Sequence, residues 1–336
     1  MANNQDIDAV IIWVDGSDPE WQLKRRNFLS EANMDNRVER YRDMGLLRYL
    51  FRGLEAFAPW IRTIHFVTCG QKPAWLNCDA PKLHFILHEE YVPGKYLPTF
   101  NSNTIELNFH RIDSLSERFI YFNDDQFLIS NTTPDDFFHR GLPKQSASFL
   151  PNFFDPTDTV FSGILSNSLR ILYRNFSRED FLKYFYKHMS PRNGGIKNSL
   201  RNAKNIVMGI QGIEYSHLPS PLLKSCISNV WDAEYAVLDA TCKNKFRSSE
   251  DVNQYLIQFW QIALGNYFPN KENERGQYFY LPNSYSTAAE CIKCQKMKAI
   301  CLNDGKFSSE DEYQKCVAAI TQAFDTILPY KSSFEL

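Results

Sequence analysis

Two adjacent carboxylates, Asp124 and Asp125, follow the apolar run 119–123 (FIYFN). A short continuous apolar run reads as a buried strand, which puts the pair at the carboxyl edge of a sheet. Hard oxygen donors there suit Mg²⁺ or Mn²⁺ bridging a diphosphate. The plain alternative is a solvated turn. Asp15 ends a second such run, 7–14 (IDAVIIWV), and falls on the same edge. Two carboxylate sites that converge from separate strands favour a ligand-holding edge.

Other residues carry weaker signals. His217, in Ser-His-Leu-Pro, has the residue type of a general base, although a lone His is more often packed or at the surface. Arg247 precedes a helix and can grip phosphate bidentately; the alternative is a surface arginine. Asn303-Asp304-Gly305 is a turn tripeptide. Cys291-x-x-Cys294 has zinc-ligand spacing, but the steps to Cys301 and Cys316 form no second such pair and no His lies near. Free thiols are therefore the expectation, for these and for the other cysteines.

The elements that must position these residues follow from periodicity. Segments 7–14, 61–68, 83–87 and 119–123 read as strands. Between them, 43–56 has helical spacing (Leu46, Leu47, Leu50, Leu54), and Asn101 can cap a helix running through Ile105 and Ile112. Alternating strands and helices predict an α/β fold with a mostly parallel, doubly wound sheet. Segment 143–156 is loop-rich. Beyond it, 160–206 is polar and partly helical, with a turn at Gly194-Gly195, and reads as an insertion or lid. Helices are expected at 231–242, 250–264 and 309–328, and a strand at 277–281. The expected division is a core at 1–140, a helical insertion at 141–210 and a part completing the site at 211–336.

Composition narrows the function. With 336 residues and 43% hydrophobic content, a large core is affordable and whole-chain disorder is excluded. Lys plus Arg is 37 against 39 Asp plus Glu, so no nucleic-acid partner is expected. Aromatics reach 15%, which suits core packing or a site that stacks sugars or bases. No leader or spanning segment is visible, which predicts a cytoplasmic location. No Walker or GxGxxG loop is present, which weakens kinase and dehydrogenase readings. A nucleotide-sugar or phosphate enzyme fits, without a named reaction.

Four blocks stand out in order: IDAVIIWVDGSDPEW (7–21), the stretch from RYRDMGLLRYLF to FIYFNDDQFL (40–128), SHLPSPLLKS (216–225) and CLNDG (301–305), with PYKSSFEL at the chain end. Together they resemble the Stealth family of hexose-1-phosphate transferases, which includes bacterial capsular-polysaccharide phosphotransferases and the catalytic subunits of lysosomal-enzyme GlcNAc-1-phosphotransferase. The resemblance implies transfer of hexose-1-phosphate from a UDP-sugar to a hydroxyl of a lipid-linked or oligosaccharide acceptor, forming a phosphodiester in capsular or cell-surface polysaccharide. It implies that Asp124, Asp125 and Asp304 hold Mg²⁺ or Mn²⁺. His217 would be base or nucleophile and Arg247 would neutralise phosphate charge. Asp15, Gly16, Asn101 and Ser102 would hold the donor, with Asp15 a second candidate for catalysis. Peripheral contact with the inner membrane face, through Arg170, Arg174, Arg178, Lys183 and Lys187, is a further expectation. A metal-dependent glycosyltransferase and a non-catalytic sugar-binding module remain the alternatives. The released nucleotide, or the lack of turnover, separates them.

Overall fold

All six residues of β1 (Ile7–Ile12) are buried, as a strand covered on both faces requires. In a computed structural model, which describes residues 6–28, 41–150, 158–271 and 274–336, β1 is followed by β2 (Ile64–Thr68), β3 (Leu83–Leu87) and β4 (Arg118–Phe122). These four are parallel, in the order β4-β1-β2-β3. The strand Ser220–Leu223 adds to β4 in antiparallel register. The expected mostly parallel sheet is therefore present, with one antiparallel edge.

The chain steps from β1 to β2 to β3 in one direction, then returns to place β4 on the other side of β1. Right-handed crossovers put those connections on opposite faces, so the strand order reverses between β1 and β4. Ligands of open α/β sheets sit outside the carboxyl ends at that point. Asp15 follows β1 and Asp124 follows β4, so both acidic turns flank it.

Four helices serve this sheet: α1 (Pro19–Arg26), α2 (Leu47–Phe57), α3 (His88–Tyr91) and α4 (Ser102–Leu107). Leu46, Leu47, Leu50 and Leu54 are buried, as the spacing predicts, although the helix begins at Leu47 rather than at residue 43. Asn101 does cap α4, accepting from the Asn103 N–H. The helix stops at Leu107, short of Ile112. The Trp231 indole N–H takes the Leu107 carbonyl at 2.7 Å, an acceptor the next helical turn would have used. A single 3₁₀ turn, Phe109–Arg111, follows.

A second sheet decides the site. β5 (Gln126–Leu128) leaves the Asp-Asp turn and pairs antiparallel with the strand Ala299–Asn303, which is parallel to the strand Gly276–Tyr280. The Leu302 N–H donates to the Asp125 carbonyl at 2.8 Å. The sequence analysis places a strand at 277–281 and a turn at 303–305, with no strand ahead of that turn. The structure does place one there, Ala299–Asn303, and it brings the turn beside the acidic one.

The insertion holds the helices Thr159–Asn175, Arg178–Lys183 and Ile196–Met208, the last preceded by Gly194 and Gly195, both at positive φ. Three of its five named basic residues are spent on the protein itself. Arg174 pairs with Glu234, Lys183 with Asp180, and Lys187 donates to the Gly265 and Tyr267 carbonyls. The C-terminal helices Leu281–Lys293 and Glu310–Ile327 pack on each other, Ser309 capping the second. The chain end returns to the core, where Arg52 of α2 grips Glu335 at 2.7 and 2.8 Å. The start of the second block, at residue 40, and the end of the loop-rich stretch, 151–156, lie outside the described residues. Among those described, no helix is long and apolar enough to cross a membrane.

Candidate active site

A cleft of about 1420 Å³ opens outside the switch point, walled by both sheets and by the insertion. Asp124, Asp125, His217, Arg247 and Asp304 all line it. Residues from three of the four sequence blocks, with Arg247 from outside them, thus face one space.

Asp125 and His217 are paired. The Nε2 of His217 lies 3.2 Å from Oδ2 of Asp125, and its Nδ1 lies 3.3 Å from the Tyr255 hydroxyl. The Cys301 thiol donates to the same Oδ2 at 3.3 Å. Burial works against charge on either member of the pair. It is outweighed: His217 and the thiol hold Asp125 below the usual carboxylate range, and Asp125 lifts His217 above the usual imidazole value. The Cys301 thiol is pushed well up by burial and then by Asp125, so it acts as a neutral donor. On Asp124, the walls of the cleft, and then the charges of Asp125 and Asp43, push the carboxyl up to about 7.

These features test the fit to a cation. Asp125 Oδ1 is buried without a hydrogen-bond partner. A buried carboxylate oxygen left bare is costly, and the charges of Asp125 and Asp43 both act on Asp124. Both are relieved by a hard divalent ion, so the residues fit Mg²⁺ or Mn²⁺. Among the described residues, the one compact group of possible ligand atoms is Asp125, His217 and Cys301. Cys291, Cys294 and Cys316 are not part of it, and none of the eight cysteines is in a disulfide.

Arg247 donates to the Ser102 hydroxyl and sits near Glu106, which is 5% exposed. Burial pushes Glu106 upward; Arg247, the Gln254 N–H and the Tyr121 hydroxyl oppose it. Tyr121 also donates to the Asn123 side chain at 2.6 Å, just ahead of the acidic turn. Glu106 therefore ties the arginine to the carboxylates.

Other expected residues are placed differently. Asp304 lines the cleft, but both its oxygens take Arg42 at 2.7 Å, and its Oδ1 also takes the Gly305 N–H. Asn101 is fully buried. Its amide serves Asp251 and the Phe246 carbonyl, and its N–H is taken by Thr99, so it shapes α4 rather than facing donor. Asp15 closes its own turn through Ser17 and is not among the cleft-lining residues. Gly16 packs so close to Tyr41 that a Cβ would meet its carbonyl oxygen at 2.1 Å; close packing is its task. Ser102 faces a smaller pocket beside the cleft.

Sequence reading missed Arg42, Glu106 as a cleft residue, Tyr255 and Cys301. Arg42 and Glu106 lie inside the second block, which was the available signal. Cys301 opens the fourth block and was weighed only as a zinc ligand; Tyr255 carried no signal.

Comparison with known proteins gives the family. Residues 5–31 match the family model for Stealth protein conserved region 1, and residues 40–145 that for conserved region 2. The chain is 39% identical to the receptor polysaccharide phosphotransferase WefC of Streptococcus oralis over 98% of this chain and 99% of that protein. It is 36% identical to the capsular polysaccharide phosphotransferase WcwK of Streptococcus pneumoniae, over 100% and 99%. It is 33% identical to the exopolysaccharide phosphotransferase cps2G of Lactiplantibacillus plantarum, over 98% and 96%. With its blocks, its sheet and its relatives in agreement along the full length, the chain belongs to the Stealth family of proteins and is a transferase enzyme.

Proposed function

We propose that the enzyme transfers hexose-1-phosphate from a UDP-sugar to a hydroxyl of a lipid-linked or oligosaccharide glycan, forming a phosphodiester in capsular or cell-surface polysaccharide. The observation that carries this is the meeting of Asp124, Asp125, His217 and Arg247 on one cleft. Phosphoryl transfer needs cations around the phosphoryl oxygens, in-line positioning and a proton acceptor. Arg247 offers a cation, His217 a proton acceptor, and the paired carboxylates would hold a second cation.

Asp124 and Asp125 would hold Mg²⁺ or Mn²⁺, which supplies charge to the diphosphate. Arg247, steadied by Ser102 and Glu106, binds a phosphoryl oxygen from the other side. Asp125 fixes the His217 ring by accepting from Nε2–H, which leaves the lone pair on Nδ1. Nδ1 faces Tyr255, and the acceptor hydroxyl approaches there and gives up its proton. The acceptor oxygen attacks the phosphorus next to the sugar, and the nucleoside monophosphate leaves. The enzyme works on the cytoplasmic side, where activated sugars are made, and touches the membrane without spanning it.

Incubation with a panel of UDP-sugars and an acceptor, with identification of the released nucleotide, tests the reading. UMP with a phosphodiester in the product is expected. UDP with a glycosidic bond would make it a glycosyltransferase instead.

A further inference from the structure

The strand Gly276–Tyr280 is the outer strand of the second sheet, with Ala299–Asn303 as its neighbour. Side chains alternate along a strand, so Phe279 turns into the core while Tyr278 and Tyr280 share the other face. Their register partners are Cys301 and Asn303. The Cys301 thiol reaches Asp125, so this shared face is the one turned to the cleft. Both tyrosines line the cleft, 47% and 38% exposed.

Packing does not account for two large rings left open side by side. Tyr215 also lines the cleft, but its ring is taken up by Phe161 and Tyr255, in T-shaped contacts at 5.2 and 5.0 Å. Among the described residues Tyr280 has no aromatic neighbour. Tyr278 has one, His217, tilted at 60° with ring centroids 6.5 Å apart. The turn of the fourth block holds Tyr280 in place. A Cβ on Gly305 would collide with the Tyr280 ring, so the ring lies against bare backbone. Arg42 fixes that backbone, donating to the Gly305 carbonyl at 3.0 Å as well as to both Asp304 oxygens. A tyrosine held this way offers a wide amphipathic surface at low entropic cost, and the C–H face of a pyranose is an apolar partner for it.

We propose that Tyr278 and Tyr280 form a stacking platform for the acceptor glycan, with Tyr278 under the sugar whose hydroxyl meets His217 and Tyr280 under the next sugar of the chain. The proposal rests on the donor reading above for what that hydroxyl attacks. A proton acceptor must touch the acceptor hydroxyl, so the ring beside His217 takes the acceptor sugar rather than the donor's. The donor's phosphates have their own cation, Arg247, which is held on α4 and not on this sheet. Residues two apart on a strand stand about 6.6 Å apart, close to the step of one sugar along a glycan, so the two rings suit consecutive sugars.

Saturation-transfer NMR on the full chain, with UMP and Mg²⁺ present, tests this. The probes are methyl β-galactoside, methyl β-glucoside and methyl N-acetyl-β-glucosaminide, with lactose, cellobiose and chitobiose. At least one disaccharide is expected to bind, with saturation strongest on its ring C–H protons. Tyr278→Ala is expected to weaken it about tenfold, the worth of one stacked ring, and Tyr278→Phe to restore it. Tyr280→Ala should weaken the disaccharide by a similar factor and leave the matching methyl glycoside within about twofold. Calorimetry with UDP-glucose and UDP-N-acetylglucosamine should give the same affinities in Tyr278→Ala as in the parent. Sugar binding that ignores Tyr278→Ala, no binding by any of these sugars, or a loss confined to the UDP-sugars would overturn the platform and leave the donor reading intact. Release of UDP with a glycosidic bond in the product, with sugar binding still dependent on Tyr278, would uphold the platform and overturn the donor reading.

Discussion

Asp125 and His217 stabilise each other's charged forms, and each is useful only because the other is there. Asp125→Asn keeps the shape of the turn but removes the charge that orients His217 and offers a bare oxygen to a cation. It is expected to keep its circular dichroism spectrum and lose turnover. EDTA should abolish parent activity and Mg²⁺ or Mn²⁺ restore it. Full activity in metal-free buffer would remove the cation from the reaction. His217→Ala is expected to cost roughly 10²–10⁴-fold in kcat, the usual worth of a general base, with donor affinity nearly unchanged. Near-normal turnover would end its role. Glu106→Gln removes the charge beside Arg247 without changing shape, and is expected to raise the donor KM about tenfold while kcat falls less. A loss of thermal stability with unchanged KM would make Glu106 merely structural. Asp124 and Asp125 stood out in the sequence as a carboxylate pair after an apolar run, whereas His217 and Arg247 have bland readings by residue type and drew their weight from the family resemblance; that all four line one cleft is visible only in the fold. Tyr255 was not legible, because a tyrosine in an apolar helix reads as core until the chain has folded, and Cys301 was weighed as a metal thiol rather than as a neutral donor to a carboxylate.

At the scale of elements, β1, β2 and β4 were legible because they are almost wholly buried and read as continuous apolar runs, and β3, only partly buried, because it is a short apolar run as well. The strands Ala299–Asn303 and Gln126–Leu128 were not. Each is short and begins or ends at a turn rich in Asp and Asn, and its pairing is with sequence far away. Polar residues inside β1 carry their own consequence. Asp8 is fully buried and takes Arg62 at 2.8 and 2.5 Å, the His65 ring at 3.1 Å and the Ser116 N–H at 2.8 Å. Burial raises its carboxyl, but these bonds outweigh it and bring it down from 3.8 to about 2. A depressed carboxyl stabilises the fold above its unfolded value and loses that contribution as pH falls towards its folded one. The contribution is about 2 kcal/mol, fully present above roughly pH 5 and lost between there and pH 2. Urea midpoints should therefore fall more steeply over that window in the parent than in Asp8→Asn, which should already be weaker at pH 7. Parallel acid profiles for the two would show that the network contributes nothing.

The whole molecule has one side unlike the rest. On the helix Ile196–Met208, Ile196, Leu200 and Val207 share a face and are 71%, 65% and 56% exposed. Lys197 and Lys204 stand beside them, both exposed, and Lys197 also lines the cleft. Sequence reading looked for membrane contact in the basic residues of the insertion, but the ones it named are largely consumed by ion pairs and carbonyls. The insertion's apolar residues are the stronger feature, and they are apparent only once their neighbours are known. An exposed apolar strip flanked by lysines is the pattern of an interfacial helix. Its place at the mouth of the cleft would hold a lipid-anchored acceptor where its glycan can enter. Each lysine near an anionic surface adds about 1 kcal/mol, and the apolar side chains add burial at roughly 25 cal/mol per Å². The parent protein is therefore expected to sediment with vesicles rich in anionic lipid, and less so as salt rises. Ile196→Asp with Leu200→Asp should abolish that binding while leaving turnover on a water-soluble acceptor unchanged. Vesicle binding that survives both substitutions would place the membrane contact elsewhere on the protein. Loss of turnover on the soluble acceptor as well would mean that this face shapes the cleft instead.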